Sequence, residues 1–205
     1  NDDGNMARRE DLDAFARKHD LKIGTIADLI HYRLLHEKTI DLIEQGEINT
    51  DHGKFDLHVF KDSTDGATHM ALVKGQPISE EPTLVRVHTG SAVRDMFGAQ
   101  LNATPDWNIQ RCLAHIAEQG CGVLVLLAGS NDAKNWLEDA QIALGRRSKP
   151  SVLVTKGTDS LTIGVGSQIL RQLGVQKMRL MGPDKHYNGI SGFDLEVVEY
   201  VACEA

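Results

Sequence analysis

Paired cysteines are missing from this 205-residue sequence. Its three cysteines are Cys112, Cys121 and Cys203, and no two of them form a C-x-x-C motif. An odd number at irregular spacing argues against a disulfide framework. We therefore interpret all three as free, small apolar residues. A reducing cytoplasmic location is the simplest expectation that follows.

An excess of basic charge and long apolar runs are also missing. The chain has 22 Lys and Arg against 29 Asp and Glu, which gives a net charge of −7. This balance disfavours nonspecific nucleic-acid binding, which depends on clustered cations that neutralise phosphates. No stretch approaches the roughly 18 apolar residues of a membrane span. With 41% hydrophobic residues, the sequence instead predicts a folded domain with a substantial core.

The chain opens on NDDGNMARRED, without an initiating Met or an apolar signal region. We expect it to be a piece of a longer polypeptide. Residues 8–19 then place Leu12, Phe15 and Ala16 on one helical face. Thr25 is the expected N-cap of a second helix.

The stretch over residues 39–85 predicts strands and turns. Residues 39–43 are interpreted as a short strand or an extension of the preceding helix, and residues 44–54 as turn-rich. The segment FDLHVFKD over residues 55–62 alternates in polarity, as a strand does. Two more strand candidates follow, ATHMALVKG and PTLVRVHTG. The histidines here, which lack metal-ligand spacing, are expected to be solvated or hydrogen-bonded strand residues.

The second half alternates helical and apolar strand patterns, and so predicts an α/β layer, with the antiparallel half upstream in the sequence. Gly164 and Gly166 form a G-x-G at the start of the predicted helix over residues 164–173. We interpret it as a close-packed helix terminus, with phosphate binding as the alternative. The predicted helices cover residues 109–120, 132–144 and 164–173, and the predicted strands cover residues 120–129, 151–155, 177–181 and 193–201.

The first 33 residues resemble the C-terminal end of 3,4-dihydroxy-2-butanone 4-phosphate synthase, through NDDG-x-MAR and DL-x-x-FA-x-x-H-x-LKIGTIADLI-x-YR. Asn5 stands where that family usually has Thr. The resemblance implies that the synthase's catalytic His and Glu, and its magnesium, belong to a part upstream of this chain. We expect a domain boundary between residues 1–36, the synthase tail, and residues 37–205.

Residues 39–201 resemble GTP cyclohydrolase II, a family often fused behind the synthase in bacteria. The motifs occur in the family's order: H-x-ALVKG, RVH, D-x-FG, IAEQGCGVLVLL, GVGSQILRQLGV, KMRLM and GFDLEVVE. The resemblance implies a mixed α/β and α+β fold with antiparallel strands in the first half and alternating helices and strands in the second. It also implies a homodimer and a fused upstream synthase domain as partners.

The family's chemical groups are missing at the matching positions. It binds zinc with three cysteines, and the resemblance places these at Ser91, Asn102 and Thr104. Neutral hydroxyl and amide oxygens do not replace thiolates for zinc. We therefore expect no metal and no cofactor in this chain.

The family's other site residues are also changed. Its glutamate position is Ser130, and its nucleophilic arginine position is Leu161, while its nearby acid is kept as Asp159. Arg86 and Lys185 remain as contacts for a phosphate or nucleotide. A later tyrosine position is Ile163, and the basic loop GRRSKP over residues 145–150 is interpreted as solvated rather than anion-binding.

These losses predict a GTP cyclohydrolase II-like domain without ring-opening activity. Its expected role is structural or regulatory for the fused synthase, with a nucleotide or flavin-pathway ligand in the vestigial pocket. One alternative is a residual or altered nucleotide hydrolase that uses Asp159, Lys185 and Arg86. A second alternative is an oligomerisation module without a ligand.

Overall fold

A computed structural model of the chain describes residues 4, 6–24, 29, 32–33, 37–78, 80–99, 105–128, 144, 158–184 and 190–203. Within them, three helices and seven strands are formed, together with a π-helical turn at Ala92–Met96 and a 3-10 turn at Ile190–Phe193. The helices are α1 (Arg9–His19), α2 (Ile109–Gln119) and α3 (Thr158–Gln172). The strands are β1 (Ile40–Thr50), β2 (Gly53–Asp62), β3 (Thr68–Lys74), β4 (Thr83–Thr89), β5 (Gly122–Leu127), β6 (Lys177–Met181) and β7 (Glu196–Val201).

The seven strands form one mixed sheet in the order β1-β2-β3-β5-β4-β6-β7. The pairs β1–β2, β2–β3 and β3–β5 are antiparallel, and the pairs β5–β4, β4–β6 and β6–β7 are parallel. Strand β5 is therefore the point at which the two halves of the sheet join. This architecture confirms the predicted α/β class with its antiparallel half upstream.

Each face of the sheet buries its own core. One core contains Phe60, Val85 and Val125 from the sheet and Val165 and Ile169 from α3. The other core, on the face that α2 covers, contains Phe55, Leu84 and Leu124 from the same strands and Cys112, Leu113 and Ile116 from α2. Alternating side chains of one strand thus enter different cores, because successive strand residues point to opposite faces.

Helix α2 is bounded by its own sequence. The side chain of Asn108 accepts a hydrogen bond from the backbone N–H of Arg111 at 2.8 Å, and Gly120 ends the helix at a φ of 75°. An Asn at the start and a left-handed Gly at the end are the favoured caps. The predicted helix over residues 109–120 is confirmed, and it holds the residues after β4 against one face of the sheet.

Strand β1 corrects the turn-rich interpretation of residues 44–54. It continues to Thr50 because each of its residues from Glu44 to Thr50 has a partner on β2. The turn itself is short, at residues 51–52. The hydrogen-bonded ladder outweighs the weak strand propensity of Gly and Asn, which is the kind of context dependence that strand propensity shows.

Other boundaries differ by a few residues. Helix α3 starts at Thr158 rather than Gly164, and β7 starts at Glu196 after a 3-10 turn rather than at Phe193. The predicted helix after Thr25 falls largely outside the described residues. Of the predicted helix over residues 132–144, only residue 144 is described, and the predicted strand over residues 151–155 lies entirely outside the described residues. Helix α1 is confirmed. No helix in the described part of the chain is long and apolar enough to cross a membrane.

A crevice opens where β4 and β6 stop pairing. The two strands pair only from Thr83–Met178 to Val85–Leu180, whereas β4 continues to Thr89. The chain after β4 leads to α2 on one face, and the chain after β6 leads to the 3-10 turn, which packs on the α3 face. Crevices at such reversals, outside the carboxyl ends of parallel strands, are the usual ligand sites of open α/β sheets.

Candidate functional site

The far end of β4 carries two polar side chains that point to the α2 face. Arg86 Nη1 donates a 2.7 Å hydrogen bond to the backbone oxygen of Met181, and its Nε lies 3.4 Å from His88 Nδ1. Gly182 permits this contact, since a Cβ there would lie 3.1 Å from Arg86 Nη1. Arg86 thus links β4 to the end of β6.

His88 leads to a buried carboxylate. The imidazole has no solvent exposure, and its Nε2 lies 2.8 Å from Asp95 Oδ2. Asp95 also accepts hydrogen bonds from the backbone N–H groups of Ser91, at 2.8 Å, and Ile109, at 3.3 Å. One carboxylate therefore connects β4, the π-helical turn and the first turn of α2.

Arg94 supplies the positive charge of this cluster. Its Nε lies 3.1 Å from Asp95 Oδ1, and its Nη2 lies 3.0 Å from Asp95 Oδ2 and donates to the backbone oxygen of Thr89 at 2.7 Å. The side chains of Arg94 and Asp95 are 13% and 6% exposed. A buried charge is stable only when it is paired and hydrogen-bonded, and both conditions hold here.

Protonation follows from these contacts. Burial lowers the pKa of His88 and prevails over the hydrogen bond to Asp95, which raises it, so the imidazole is neutral at pH 7. Burial raises the pKa of Asp95, but hydrogen bonds from His88, Arg94 and Ser91 outweigh burial and hold it well below its usual range. Arg86 Nε can only donate to Nδ1, at 3.4 Å, whereas Nε2 lies 2.8 Å from both Asp95 Oδ2 and Arg94 Nη2, so the role of Nε2 as donor or acceptor depends on the tautomer.

Ser91 stands at the first expected zinc position. It is buried, with 7% exposure, and its hydroxyl accepts a hydrogen bond from the backbone N–H of Arg94 at 3.4 Å. The hydroxyl therefore acts as the N-cap of the π-helical turn. The other two positions, Asn102 and Thr104, lie outside the described residues. In the parts of the chain that are described, no three His, Cys, Asp or Glu side chains are placed to hold a metal ion.

Zinc does not fit the donor that is described here. A neutral hydroxyl replaces a thiolate, and the guanidinium of Arg94 lies within the same turn and already neutralises Asp95. Catalytic zinc sites use thiolate, imidazole or carboxylate ligands. The sequence analysis missed Arg94, although its position beside an acid and after a buried Arg-Val-His strand was a usable signal.

The remaining expected residues are only partly placed. Asp159 and Leu161 lie in the first turn of α3, but the structure does not describe their side chains. Ser130 and Lys185 lie outside the described residues. Ile163 is described, and it lines a pocket together with Arg86.

This pocket, which we call the crevice pocket, occupies the opening between β4, β6 and the start of α3. Its volume is about 160 Å³, and its walls include Arg86, Val87, Ile163, Gly166, Leu180 and Leu195. A Cβ at Gly166 would lie 3.2 Å from Val87 Cγ1, so the glycine permits α3 to approach β4 closely. That contact agrees with the close-packed interpretation of the G-x-G.

Two other strand histidines each have a buried ring nitrogen with no hydrogen-bond partner among the described residues. They are Nε2 of His69 and Nδ1 of His58, whereas Nδ1 of His69 accepts a hydrogen bond from the N–H of Ala128. His69 is therefore hydrogen-bonded, as expected of a strand histidine. Because Nδ1 of neutral His69 accepts, its Nε2 carries the proton and is a donor rather than a metal ligand.

Comparison with known proteins finds one matching family model and several similar proteins. The GTP cyclohydrolase II family model matches residues 41–202. The whole chain aligns with a Pseudomonas aeruginosa protein named 3,4-dihydroxy-2-butanone 4-phosphate synthase at 46% identity, and the alignment covers 54% of that protein. It aligns over 98% of its length with the Aquifex aeolicus riboflavin biosynthesis protein RibBA at 37% identity, and this alignment covers 51% of RibBA.

A solved structure is similar over the whole chain. It is RibBX of A. baumannii, described as a two-domain 3,4-dihydroxy-2-butanone 4-phosphate synthase, with 38% identity, a TM-score of 0.62 and coverage of 52% of that protein. The chain spans about half the length of the curated relatives it matches. The solved relative is a two-domain protein, and the Aquifex relative is named for riboflavin biosynthesis. The chain itself belongs to the GTP cyclohydrolase II family.

Proposed function

We propose that this domain has lost zinc binding and GTP ring opening and that it serves a structural or regulatory role for a fused 3,4-dihydroxy-2-butanone 4-phosphate synthase. The observation that carries the proposal is Ser91. At the first zinc position the chain presents a buried hydroxyl that caps a turn, next to a guanidinium rather than a free thiolate.

The local charge supports the loss of metal. Zinc binding needs anionic or imidazole ligands with a free lone pair. Asp95 is occupied by Arg94 and by two backbone N–H groups, and His88 Nε2 lies 2.8 Å from both that carboxylate and Arg94 Nη2. Among the described residues, the two that could bind a cation near Ser91 are therefore already engaged in holding the turn.

The loss of the nucleophile supports the proposal independently. At the position that the resemblance assigns to a nucleophilic arginine, this chain has Leu161. An aliphatic side chain has neither a lone pair for covalent attack nor a charge for a triphosphate. Two separate requirements of the family reaction are thus missing at positions far apart in the sequence.

A role toward a synthase domain is supported by the relatives and by α1. The Pseudomonas aeruginosa protein is named for the synthase alone, yet it contains a counterpart of this entire chain. Helix α1 exposes Leu12 and Phe15, at 49% and 56%, although they share an apolar helical face. Covering such residues against a folded synthase domain would remove apolar surface from water.

The deciding experiment uses the full-length natural protein. Its zinc content is measured by elemental analysis, and formate and pyrophosphate release from GTP are followed on the same sample, while synthase activity on ribulose 5-phosphate shows that the protein is folded. We expect synthase turnover without bound zinc or formate release. Formate release from GTP above the background of a boiled sample would refute the proposal and favour the nucleotide hydrolase.

A further inference from the structure

One face of the sheet carries apolar side chains that belong to neither core. Helix α2 packs on β4 and β5 on this face, and the sheet continues beyond them to β3 and β2. There lie Leu57, Val59, Met70 and Leu126, none of which is packed in a core within the described part of the chain. Met70 is 42% exposed, and the other three are half-buried. We call these four residues the open patch.

The open patch is one continuous surface across three strands. Leu57 and Val59 follow Phe55 of the α2-side core at alternate positions of β2, so all three point to the same face. Val59 is paired with Met70 on β3, and Met70 is paired with Leu126 on β5. Side chains that are opposed in this way have Cβ atoms about 5 Å apart and interact.

The sequence of β2 indicates that this face has a partner. On the α2 side the strand carries Phe55, Leu57 and Val59, whereas Asp56 and His58 point to the other side. An antiparallel sheet with one solvated face normally places its polar residues on that face. Here the partly exposed positions beyond α2 are the apolar ones, so the pattern predicts that they are covered in the complete protein.

The expected linker to the synthase domain enters the sheet beside the open patch. The chain spans about half the length of its relatives, and the solved relative is a two-domain protein. With the synthase tail expected to end at residue 36, the linker leads directly into Ile40, the first residue of β1. Four residues further along β1, Glu44 is paired with Val59. At about 3.3 Å per residue, this places the entry point roughly 13 Å along β1 from the open patch.

The segment between β5 and α3 is a less suitable occupant. After β5, the N–H of Ala128 donates to Nδ1 of His69, and His69 is paired with Phe60, whose side chain lies in the core on the α3 side. Helix α3 packs on that same side. Both described ends of this segment therefore lie on the face opposite to the open patch. A second copy is also disfavoured, because a short linker gives a tethered domain an effective concentration in the millimolar range.

We propose that the open patch is the docking face for the fused synthase domain of the same polypeptide. This inference rests on the proposed function and deepens it, because it assigns the surface through which this domain serves the synthase. Val59, Met70 and Leu126 pack against apolar side chains of the synthase next to the linker. Removal of this apolar surface from water stabilises one relative orientation of the two domains.

The test measures how fast a thiol in the open patch is modified in the full-length natural protein. Met70→Cys is the probe and Val198→Cys, on β7, is the matched control, because the two side chains are 42% and 45% exposed in this domain. Labelling by N-ethylmaleimide is followed at each introduced cysteine by peptide mass spectrometry, which separates it from labelling of the natural cysteines. If the undocked state is populated at about 10% or less, Met70→Cys should react at least about tenfold more slowly than Val198→Cys. Val59→Cys is the second probe if circular dichroism shows that Met70→Cys does not fold.

A photo-cross-linker then identifies what covers the open patch. Benzophenone maleimide attached to Met70→Cys should cross-link to peptides of the synthase domain, with a yield that does not depend on protein concentration. Cross-links that diminish on dilution would assign the open patch to a second copy, and cross-links confined to residues 129–157 would assign it to that segment. Either outcome would overturn the inference, and so would equal labelling rates of Met70→Cys and Val198→Cys.

Failure of this inference is distinguishable from failure of the proposed function. Formate release from GTP would refute the proposed function and is measured without either cysteine variant. Equal labelling rates in a protein that binds no zinc and releases no formate would remove only this docking face, because the exposed face of α1 would remain as a contact with the synthase.

Discussion

His88 Nε2 and Asp95 Oδ2 lie 2.8 Å apart in a buried contact that joins β4 to the π-helical turn. The contact connects the strand that lines the crevice pocket to the turn that begins at Ser91. Because Asp95 also holds the first N–H of α2, the position of the helix depends on this one carboxylate. The pair therefore has a structural role that needs neither zinc nor substrate.

Replacing Asp95 should be costly for folding. Asp95→Asn removes the counter-charge of Arg94 and one acceptor of the turn, and loss of one partner of a buried ion pair costs about 3 kcal/mol. Urea unfolding monitored by far-UV circular dichroism measures the change in unfolding free energy. The control is Glu47→Gln, whose ion pair with Lys54 is exposed and should leave the midpoint unchanged. Equal midpoints for the two variants would contradict the structural role of Asp95.

Much of the fold was predictable because its signals are local or ordered along the chain. The apolar run that became β5, the helical pattern over residues 109–120 that became α2 and the sequence of family motifs each predicted an element directly. The length of β1 was not predictable, because it is decided by pairing with β2 over residues that have weak strand propensity of their own.

The site was less predictable than the fold. The exchange at Ser91 was visible in the sequence, but the role of its hydroxyl as a turn cap depends on the conformation of the π-helical turn. Arg94 was missed because its contacts with Thr89 and Asp95 are made only in that turn. The crevice pocket arises where β4 and β6 diverge, which is a relation between residues 95 positions apart. The domain boundary after residue 36 and the homodimer stay predictions.

The free energy of unfolding should decrease as the pH is lowered below 7, because two buried histidines resist protonation. Burial lowers the pKa of His88 and of His69, in the latter case against the attraction of Asp62 and Asp65. A histidine with a depressed folded-state pKa stabilises the fold above its unfolded pKa of about 6.5 and loses that contribution as the pH falls from there toward the folded value. Urea midpoints measured from pH 8 to pH 5 should therefore decrease.

The variant His69→Gln isolates one part of this pH dependence. Among the described residues, it removes one of the two histidines whose pKa is lowered by burial, so the decrease in midpoint below about pH 6.5 should become shallower. Above about pH 7 the pH dependence of the variant should match that of the natural protein, because both histidines are neutral there. A slope below pH 6.5 that is identical in the two proteins would show that His69 does not contribute.

Cysteines placed at the three family positions should restore metal without restoring chemistry. The variant Ser91→Cys, Asn102→Cys, Thr104→Cys supplies three thiolate ligands, for which zinc has a high affinity. We expect about one zinc per chain by elemental analysis and no formate release from GTP, because Leu161 is unchanged. Formate release by this variant would show that the position of Leu161 is not needed for the reaction.

The glycine between α2 and β4 offers a test of the packing that holds the site. A Cβ at Gly122 would lie 2.9 Å from the backbone oxygen of Leu84 and 3.0 Å from two carbons of Ile116. Gly122→Ala should therefore push α2 away from β4 and destabilise the fold by about 1–3 kcal/mol, the usual range for overpacking. Gly46→Ala is the matched control on β1, where an added Cβ meets nothing within 4 Å. That change should be neutral or slightly stabilising, since it restricts the unfolded chain. If urea unfolding gave equal midpoints for both variants, the close approach of α2 to β4 would be wrong.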